Sequence, residues 1–209
     1  MFESFYIKKK SFDLKGIDKG HYNVEYRGVP CVKCPFDYVI YQMIINEVKP
    51  DLIIEIGTNF GGSTLYLADL LTLIGNGVIH SVDIIDKCSD IVKNHPRISL
   101  FFNGWTEYDL NLIKSYEKVL VIEDSSHGFT NTLGVLNKFK DVVTLNSYFI
   151  IEDGIIDDLG RTKEFKGGPR KALKVFLQNN SEFILEEKWI NFFGKNATYN
   201  PLGYLKKIK

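Results

Sequence analysis

Acidic side chains close the apolar segments of this chain with unusual regularity. Glu55 and Asp83 end the first two segments, Asp124 ends a later one, and Glu152 and Asp153 follow another. If these segments are parallel strands, their carboxyl ends meet along one edge of a sheet, where ligands bind. Carboxylates crowded at one edge repel one another unless a cation joins them.

Three of these acids are expected to lie closest together because they end neighbouring strands. Asp124, Glu152 and Asp153 can supply an all-oxygen site for Mg²⁺ or another hard divalent cation. Waters or substrate oxygens would complete its coordination shell. Acids also cap sheet ends simply because they are soluble, but two adjacent strand ends with three carboxylates favour a metal site.

A histidine follows the first of these acids by three residues. His127 is a candidate general base for a hydroxyl group bound near the ion, with Asp124 as its catalytic neighbour. It can equally be a metal neighbour or a hydrogen-bonding residue of the loop. A bound cation would itself lower the pKa of a hydroxyl, so the sequence leaves these roles open.

A glycine-rich turn follows the first buried apolar segment. Residues 52–56 are typical of a strand in a parallel sheet, and an apolar helix is predicted from Ser63. Gly57 permits a tight turn, while Gly61 and Gly62 let a ligand approach the backbone. The helix start offers N–H groups to a polar or anionic ligand. The turn residues expected to contact that ligand are Gly57, Thr58, Asn59, Gly61, Gly62 and Ser63.

The surroundings of this turn favour S-adenosylmethionine (SAM) as the ligand. The turn has neither the Gly-Lys-Ser/Thr of a P-loop nor the full spacing of a dinucleotide site. A carboxylate at Glu55 would repel a pyrophosphate but can accept hydrogen bonds from an ammonium group. Asp83 ends the second strand, where such folds bind a ribose. Gly104-Trp105-Thr106 follows the third strand near the expected adenine; Trp105 can stack on a purine or cap the core.

Strands alternate with helices throughout, which predicts an open, mostly parallel sheet with helices on both faces. Residues 1–34 are interpreted as an N-terminal cap and residues 35–209 as one α/β domain. Helices are expected over 35–48, 63–74, 109–116, 129–139 and 171–177, and strands over 52–56, 78–83, 98–102, 118–124, 183–186 and 199–208, with a further strand inside 142–154.

Composition excludes several classes of protein. Lys plus Arg and Asp plus Glu both number 26, so nothing global indicates a nucleic acid or an anionic membrane as partner. No secretory signal or membrane-spanning run is visible, which predicts a cytoplasmic protein. Cys31-x-x-Cys34 resembles half of a zinc site. No second Cys or His pair follows at suitable spacing, so these residues and Cys88 are interpreted as free thiols.

Short motifs spread over roughly residues 28–206 carry a resemblance to a known family. They are Gly28-Val-Pro30, Lys33-x-Pro35, Tyr41-Gln42, the segment 50–57, Gly61-Gly-Ser63, Asp83, Asp124-Ser-Ser-His127, Glu152-Asp153, Gly168-Pro169 and Asn200-Pro-x-Gly-Tyr204-Leu. In this order they resemble the cephalosporin hydroxylase family of SAM-dependent methyltransferase-fold proteins.

The resemblance implies a class I methyltransferase-like (Rossmann-like) fold, with a mostly parallel seven-stranded sheet and helices on both faces. It implies SAM at the glycine turn and a divalent metal held by Asp124, Glu152 and Asp153, with Asp83 at the ribose. One segment departs from the family pattern: Gly104-Trp105-Thr106 stands where members often have a Gly-Ser-Ser type sequence.

The function expected from these features is a SAM- and divalent-metal-dependent O-methyltransferase. Its acceptor would be a hydroxyl of a small natural product or a glycan, and the protein can be a homo-oligomer. One alternative is a metal-dependent hydroxylase or hydrolase on the same scaffold. The sequence has no clear 2-His-1-carboxylate set, which argues against iron oxygenase chemistry. The other is a non-catalytic SAM-binding partner subunit.

Overall fold

A computed structural model describes residues 13–195 and 197–209. The chain forms a small hairpin followed by one large sheet. The strands are β1 (Glu25–Tyr26), β2 (Val29–Pro30), β3 (Leu52–Ile56), β4 (Val78–Val82), β5 (Ile98–Phe101), β6 (Val119–Glu123), β7 (Tyr148–Ile151), β8 (Phe183–Leu185) and β9 (Tyr204–Lys207).

Helices connect most of the strands of the large sheet. They are α1 (Leu14–His21), α2 (Pro35–Val48), α3 (Gly62–Leu73), α4 (Asp90–Lys93), α5 (Gly104–Glu107), α6 (Phe129–Phe139), α7 (Gly168–Asn179) and α8 (Glu187–Ile190), with 3₁₀ turns at Leu110–Ile113 and Gly154–Asp157. No helix within the described residues is long and apolar enough to cross a bilayer.

The large sheet has the strand order β5-β4-β3-β6-β7-β9-β8. The strands from β3 to β7 run parallel, and β9 pairs antiparallel with both β7 and β8. The central strand β3 has β4 on one side and β6 on the other, so the order reverses at β3. Ligands bind at such a reversal, outside the carboxyl ends of the strands.

Two hydrophobic cores pack on opposite faces of the sheet. Alternate residues of β3 divide between them: Ile54 joins the core that contains α6 and α7, and Ile53 joins the core that contains α2 and α3. All five residues of β3 are buried, as expected of a strand covered on both faces. This arrangement confirms the mostly parallel sheet with helices on both faces predicted from the sequence.

The main differences from the predicted elements are short helices. The helix expected over 109–116 is only a 3₁₀ turn, in which the Asp109 side chain accepts a hydrogen bond from the Asn111 N–H. Gly104-Trp105-Thr106 follows the third strand, as expected, and forms the short helix α5. The buried Tyr108 lies between these two turns in an extended conformation, and its hydroxyl lies 2.6 Å from His80 Nδ1. His80 is therefore a packed core histidine, as expected.

The N-terminal cap is described only in part. Residues 1–12 lie outside the described residues, and residues 13–34 contain α1 and the β1–β2 hairpin. A domain boundary after residue 34 stays a prediction. The three cysteines are free and buried, in agreement with their interpretation as thiols.

Candidate active site

A cavity of about 400 Å³ lies at the carboxyl ends of β3, β4 and β6. Its volume falls within the range of small-molecule sites, about 300–1,000 Å³. The turn after β3, the residues after β4 and β6, the start of α5, and Asp153 form its walls. The β1–β2 hairpin covers one side, because Pro30 and Cys31 also line the cavity.

The glycine turn (residues 57–63) owes its glycines to close packing. Gly57 has a φ of +110°, and a Cβ there would lie 2.0 Å from the carbonyl oxygen of Asp124. A Cβ on Gly62 would lie 2.3 Å from the Pro30 carbonyl oxygen, and one on Gly61 would meet Val92. Gly57 and Gly62 line the cavity, whereas Gly61 does not. Neighbouring chain segments therefore require these three glycines, and their contact with a ligand stays a prediction.

Glu55 lies behind the cavity wall. Its carboxylate is buried and accepts hydrogen bonds from Ser63 Oγ at 2.5 Å, Ser81 Oγ at 2.7 Å and the Thr64 hydroxyl. Burial raises the pKa of this carboxyl above its ordinary value, against the lowering effect of the three hydroxyls. Glu55 thus ties β3, β4 and α3 together and does not line the cavity, although Ser63 does.

Asp83 lies at the cavity wall in a position suited to binding hydroxyl groups. Its Oδ2 accepts a hydrogen bond from the Asn59 backbone N–H at 2.8 Å, and its Oδ1 accepts one from Ile84 N–H at 2.7 Å. Asp83, Asn59 and Thr58 all line the cavity. These bonds fix the glycine turn relative to the end of β4 while leaving the carboxylate partly exposed.

Trp105 packs on a neighbouring helix and also borders the cavity, and its stacking on a purine stays a prediction. Its ring packs against α6, where a Cβ on Gly134 would lie 2.7 Å from the indole, and its Nε1 donates to Asn131 Oδ1 at 2.9 Å. The same side chain lines the cavity beside Gly104. Thr106, which the sequence places with them near the expected adenine, does not line the cavity.

Three titratable side chains meet at the other end of the cavity. Oxygen or nitrogen atoms of Asp124, His127 and Asp153, here called the ion cluster, all lie within 4.8 Å of one another. His127 Nε2 is 3.1 Å from Asp153 Oδ2. Burial lowers the pKa of His127, but the carboxylates of Asp153 and Asp124 together raise it by more. The pKa of His127 therefore lies above its ordinary value. Two carboxylates and an imidazole form a donor set that suits a divalent cation.

The backbone places these side chains. His127 and Asp153 both adopt left-handed conformations, with φ of 55° and 57°. Such conformations are uncommon for residues other than glycine and concentrate at functional sites. The Asp124 N–H donates to Ile56 O at 2.8 Å, which continues the β3–β6 pairing to the cavity edge.

Glu152, the third acid predicted to bind the metal, is held elsewhere in this structure. Its Oε1 lies 2.5 Å from Lys33 Nζ and accepts a hydrogen bond from the Tyr41 hydroxyl at 2.6 Å. Lys33 also contacts Asp124 Oδ2 at 3.2 Å. The predicted trio is therefore divided: Asp124 and Asp153 lie with His127, and Glu152 lies with Lys33.

Sequence reasoning did not assign a role to Lys33. The only signal was its place in the Lys33-x-Pro35 motif directly before α2. Burial lowers the pKa of Lys33, but Asp124 and Glu152 raise it well above its ordinary value, so the ammonium stays charged.

Comparison with known proteins identifies the family. The family model described as rhamnosyl O-methyltransferase/CmcI matches residues 18–208. The chain belongs to this family. The match confirms the resemblance inferred from the motifs.

Similar proteins include rhamnosyl O-methyltransferases of mycobacteria. The rhamnosyl O-methyltransferase of Mycobacterium leprae (strain TN) is 30% identical over 156 residues, which cover 71% of this chain and 68% of the relative. The enzyme of the same name from Mycobacterium bovis (strain BCG / Pasteur 1173P2) is 28% identical over 191 residues, 86% of this chain and 76% of the relative.

Solved structures share the fold. A CmcI structure with Mg and SAM has a TM-score of 0.69 at 20% identity, covering 90% of this chain and 78% of that one. An O-methyltransferase from Bacillus cereus in complex with SAH has a TM-score of 0.54 at 16% identity, covering 84% and 81%. These likenesses confirm the class I methyltransferase fold.

In this member of the family, a buried polar network supports the ion cluster from the C-terminal loop. Asn200 Oδ1 accepts a hydrogen bond from Asp153 N–H at 3.2 Å. Asp37 accepts hydrogen bonds from the Thr198 hydroxyl at 2.5 Å and from the Tyr204 hydroxyl at 3.0 Å. The network therefore joins the start of α2 to the residues that flank β9.

Asp37 should make the stability of the protein depend on pH. Burial raises its pKa from 3.8 to about 7. Between these values the folded state binds a proton that the unfolded state does not. The contribution of the neutral Asp37 carboxyl to the free energy of unfolding is therefore fully present below the unfolded pKa. It is lost as pH rises through the folded pKa. We expect Asp37→Asn to flatten the fall in unfolding free energy by about 1.4 kcal/mol per pH unit between about pH 5 and 7.

Urea unfolding of the metal-free protein at several pH values measures this slope. Asp141→Asn is the matched control, because the Asp141 side chain is 72% exposed. An unchanged slope in the Asp37 variant, or an equal change in the control, contradicts the assignment.

Proposed function

We propose that this chain transfers the methyl group of SAM to a hydroxyl of a sugar or another small natural product, with a divalent cation beside the acceptor. Membership of the rhamnosyl O-methyltransferase/CmcI family supports the class of enzyme, a SAM-dependent O-methyltransferase. One observation carries the proposal: a single cavity is bounded by the glycine turn and Asp83 at one end and by the ion cluster at the other.

The cofactor end of the cavity fits SAM. The glycine turn offers backbone groups at the start of α3 to the methionine portion. Asp83 accepts hydrogen bonds from the ribose hydroxyls, and the exposed part of Trp105 borders the adenine. Both residues were predicted from the sequence to bind the cofactor, and both line the cavity.

The other end of the cavity fits a divalent cation. Asp124 and Asp153 are the ligands that the geometry favours, and Mg²⁺ is the expected ion because carboxylate oxygens dominate the donor set. A cation bound there would lower the pKa of an acceptor hydroxyl. His127, oriented by its contact with Asp153 Oδ2, receives the hydroxyl proton.

The acceptor would bind beside the loop that connects the Gly154–Asp157 turn to α7. The Phe165 ring lies with its centroid 6.0 Å from that of His127, and the Arg161 guanidinium lies 5.1 Å from the same ring. An aromatic ring near the candidate base can contact the apolar face of a sugar ring, although Phe165 itself lies outside the cavity lining. Because two similar proteins are rhamnosyl O-methyltransferases, a rhamnose-like sugar is the first acceptor to test. The cytoplasmic location and self-association expected from the sequence remain predictions.

Transfer of a labelled methyl group from SAM to a panel of rhamnosides and other glycosides, with Mg²⁺, tests the proposal. Product formation that requires both SAM and the cation supports it. Activity without SAM would favour the hydrolase or hydroxylase alternative. SAM binding without transfer to any acceptor would favour a non-catalytic subunit.

Asp83→Ala should weaken the binding of S-adenosylhomocysteine by about 10- to 100-fold, since it removes hydrogen bonds to a charged acceptor worth about 1.5–3 kcal/mol. Isothermal titration calorimetry measures the affinity. Asp86→Ala is the matched control, because Asp86 is three residues away and pairs with Lys93 outside the cavity lining. Equal affinities for wild type and the Asp83 variant would remove Asp83 from the ribose site.

A further inference from the structure

Lys33 is a buried cation in direct contact with two of the acids predicted to bind the metal. Its side chain is 2% exposed, and its ammonium lies 2.5 Å from Glu152 and 3.2 Å from Asp124. The ammonium also lies 5.2 Å from the centroid of the Tyr41 ring. Burying a charged lysine is unfavourable unless nearby carboxylates compensate, so this arrangement needs an explanation beyond packing.

Two basic side chains contact the three acids at this end of the cavity. Lys33 contacts Asp124 and Glu152, and His127 contacts Asp153. The Lys33 ammonium offsets part of the mutual repulsion of these carboxylates, which lie at adjacent strand ends. A divalent cation that binds Asp124 therefore enters a region that already holds a positive charge.

We propose that Lys33 is an internal counter-cation that competes with the divalent cation for Asp124 and Glu152. The inference rests on the metal part of the proposed function. A bound ion and the Lys33 ammonium repel each other at this range, because both would lie within a few ångströms of the same carboxylate. Ion binding therefore weakens the contacts of Lys33, whose flexible stem allows the ammonium to move away.

The surroundings of Glu152 support this competition. The Tyr41 hydroxyl donates to the same Glu152 oxygen that Lys33 contacts, at 2.6 Å. This neutral donor holds the glutamate in place after the ammonium withdraws. Glu152 then becomes available as the third carboxylate ligand predicted from the sequence, and one site serves both cations in turn.

The competition predicts that removing the Lys33 charge strengthens the binding of a divalent cation, whereas removing a purely structural lysine would not. Lys33→Met removes the positive charge and retains most of the apolar stem. We expect this variant to bind Mn²⁺ at least about tenfold more tightly than wild type, since a nearby positive charge no longer opposes the ion. We also expect its melting temperature without metal to fall, and added Mn²⁺ to raise it more than in wild type. A lysine needed only to position the acids would give weaker Mn²⁺ binding when removed.

Calorimetric titration with Mn²⁺ and thermal unfolding in EDTA or Mn²⁺ provide the test, at a pH of about 8 so that the carboxylates are ionised. Lys33→Gln is a second neutral variant, and Lys33→Arg keeps the charge and should not bind Mn²⁺ more tightly than wild type. Lys174→Met, on the exposed side of α7, is the control for loss of a lysine.

The outcomes separate this inference from the proposed function. Tighter binding by the two neutral variants, or folding of these variants only with Mn²⁺, supports the competition. Wild-type binding with equal or weaker binding by the neutral variants overturns the inference alone. Failure of both neutral variants to fold even with Mn²⁺ also overturns it, because the ion then cannot replace the ammonium. No Mn²⁺ binding by wild type or variants refutes the metal part of the proposed function as well.

Discussion

Asp124→Asn should abolish measurable divalent-cation binding and lower kcat/KM for methyl transfer by about 10³-fold or more. Asp124 belongs to the ion cluster and contacts Lys33 at 3.2 Å, so its carboxylate is the one that both cations share. The substitution keeps the size of the side chain but removes the negative charge. An amide oxygen is a weaker ligand for a hard cation than a carboxylate.

The matched control for this variant is Asp86→Asn. Asp86 also follows a strand of the same sheet edge, but it is 40% exposed and pairs with Lys93 at 2.7 Å. Mn²⁺ calorimetry and methyl-transfer rates would be measured for both variants, with circular dichroism to confirm folding. Retention of wild-type ion affinity and rate by the Asp124 variant would remove the ion cluster from the mechanism. Loss of ion affinity with a wild-type rate would mean that the ion is not needed for methyl transfer.

Gly57→Ala should destabilise the protein by about 3–5 kcal/mol and abolish binding of S-adenosylhomocysteine. The added Cβ would lie 2.0 Å from the carbonyl oxygen of Asp124, which belongs to the backbone and cannot move as a side chain does. The φ of +110° is also unfavourable for alanine. Relief of the clash must displace either the glycine turn or the segment that carries Asp124, so the cofactor and cation ends are both disturbed.

Gly75→Ala provides the control for backbone conformation alone. Gly75 also has a positive φ, +76°, but a Cβ there meets nothing within 4 Å. Its substitution should cost about 1–2 kcal/mol, the usual penalty of a left-handed conformation. Urea unfolding and calorimetry with S-adenosylhomocysteine compare the two variants. If the Gly57 variant matches the Gly75 variant in stability and binds the ligand normally, the close approach to Asp124 is unimportant.

The sequence predicted best those features that depend on neighbouring residues. The β3 strand, the glycine turn and the start of α3 form one local pattern of apolar residues and glycines, and the structure has each of them in place. The parallel sheet followed from the repeated alternation of strands and helices. It brought Asp83, Asp124 and Asp153 to one cavity, since parallel strands end at the same edge.

Short helices and side-chain directions were less accessible to sequence reasoning. The 3₁₀ turn near Asp109 directly follows Tyr108, whose hydroxyl contacts His80 across 28 residues. Glu55 was assigned to the ligand because it ends a strand, yet its carboxylate points to three hydroxyls behind the cavity wall. Sequence position places a residue at the sheet edge but does not show which way its side chain turns.

By itself, the sequence determined the sheet, the glycine turn after β3 and the gathering of acids at one edge, because these follow from local periodicity and from the parallel direction of the strands. Only the tertiary structure decided which of those acids meet one another. Lys33 reaches Glu152 across 119 residues, and the left-handed backbone of Asp153 turns its carboxylate toward His127 instead. Long-range contacts and single backbone angles of this kind leave no periodic trace in the sequence.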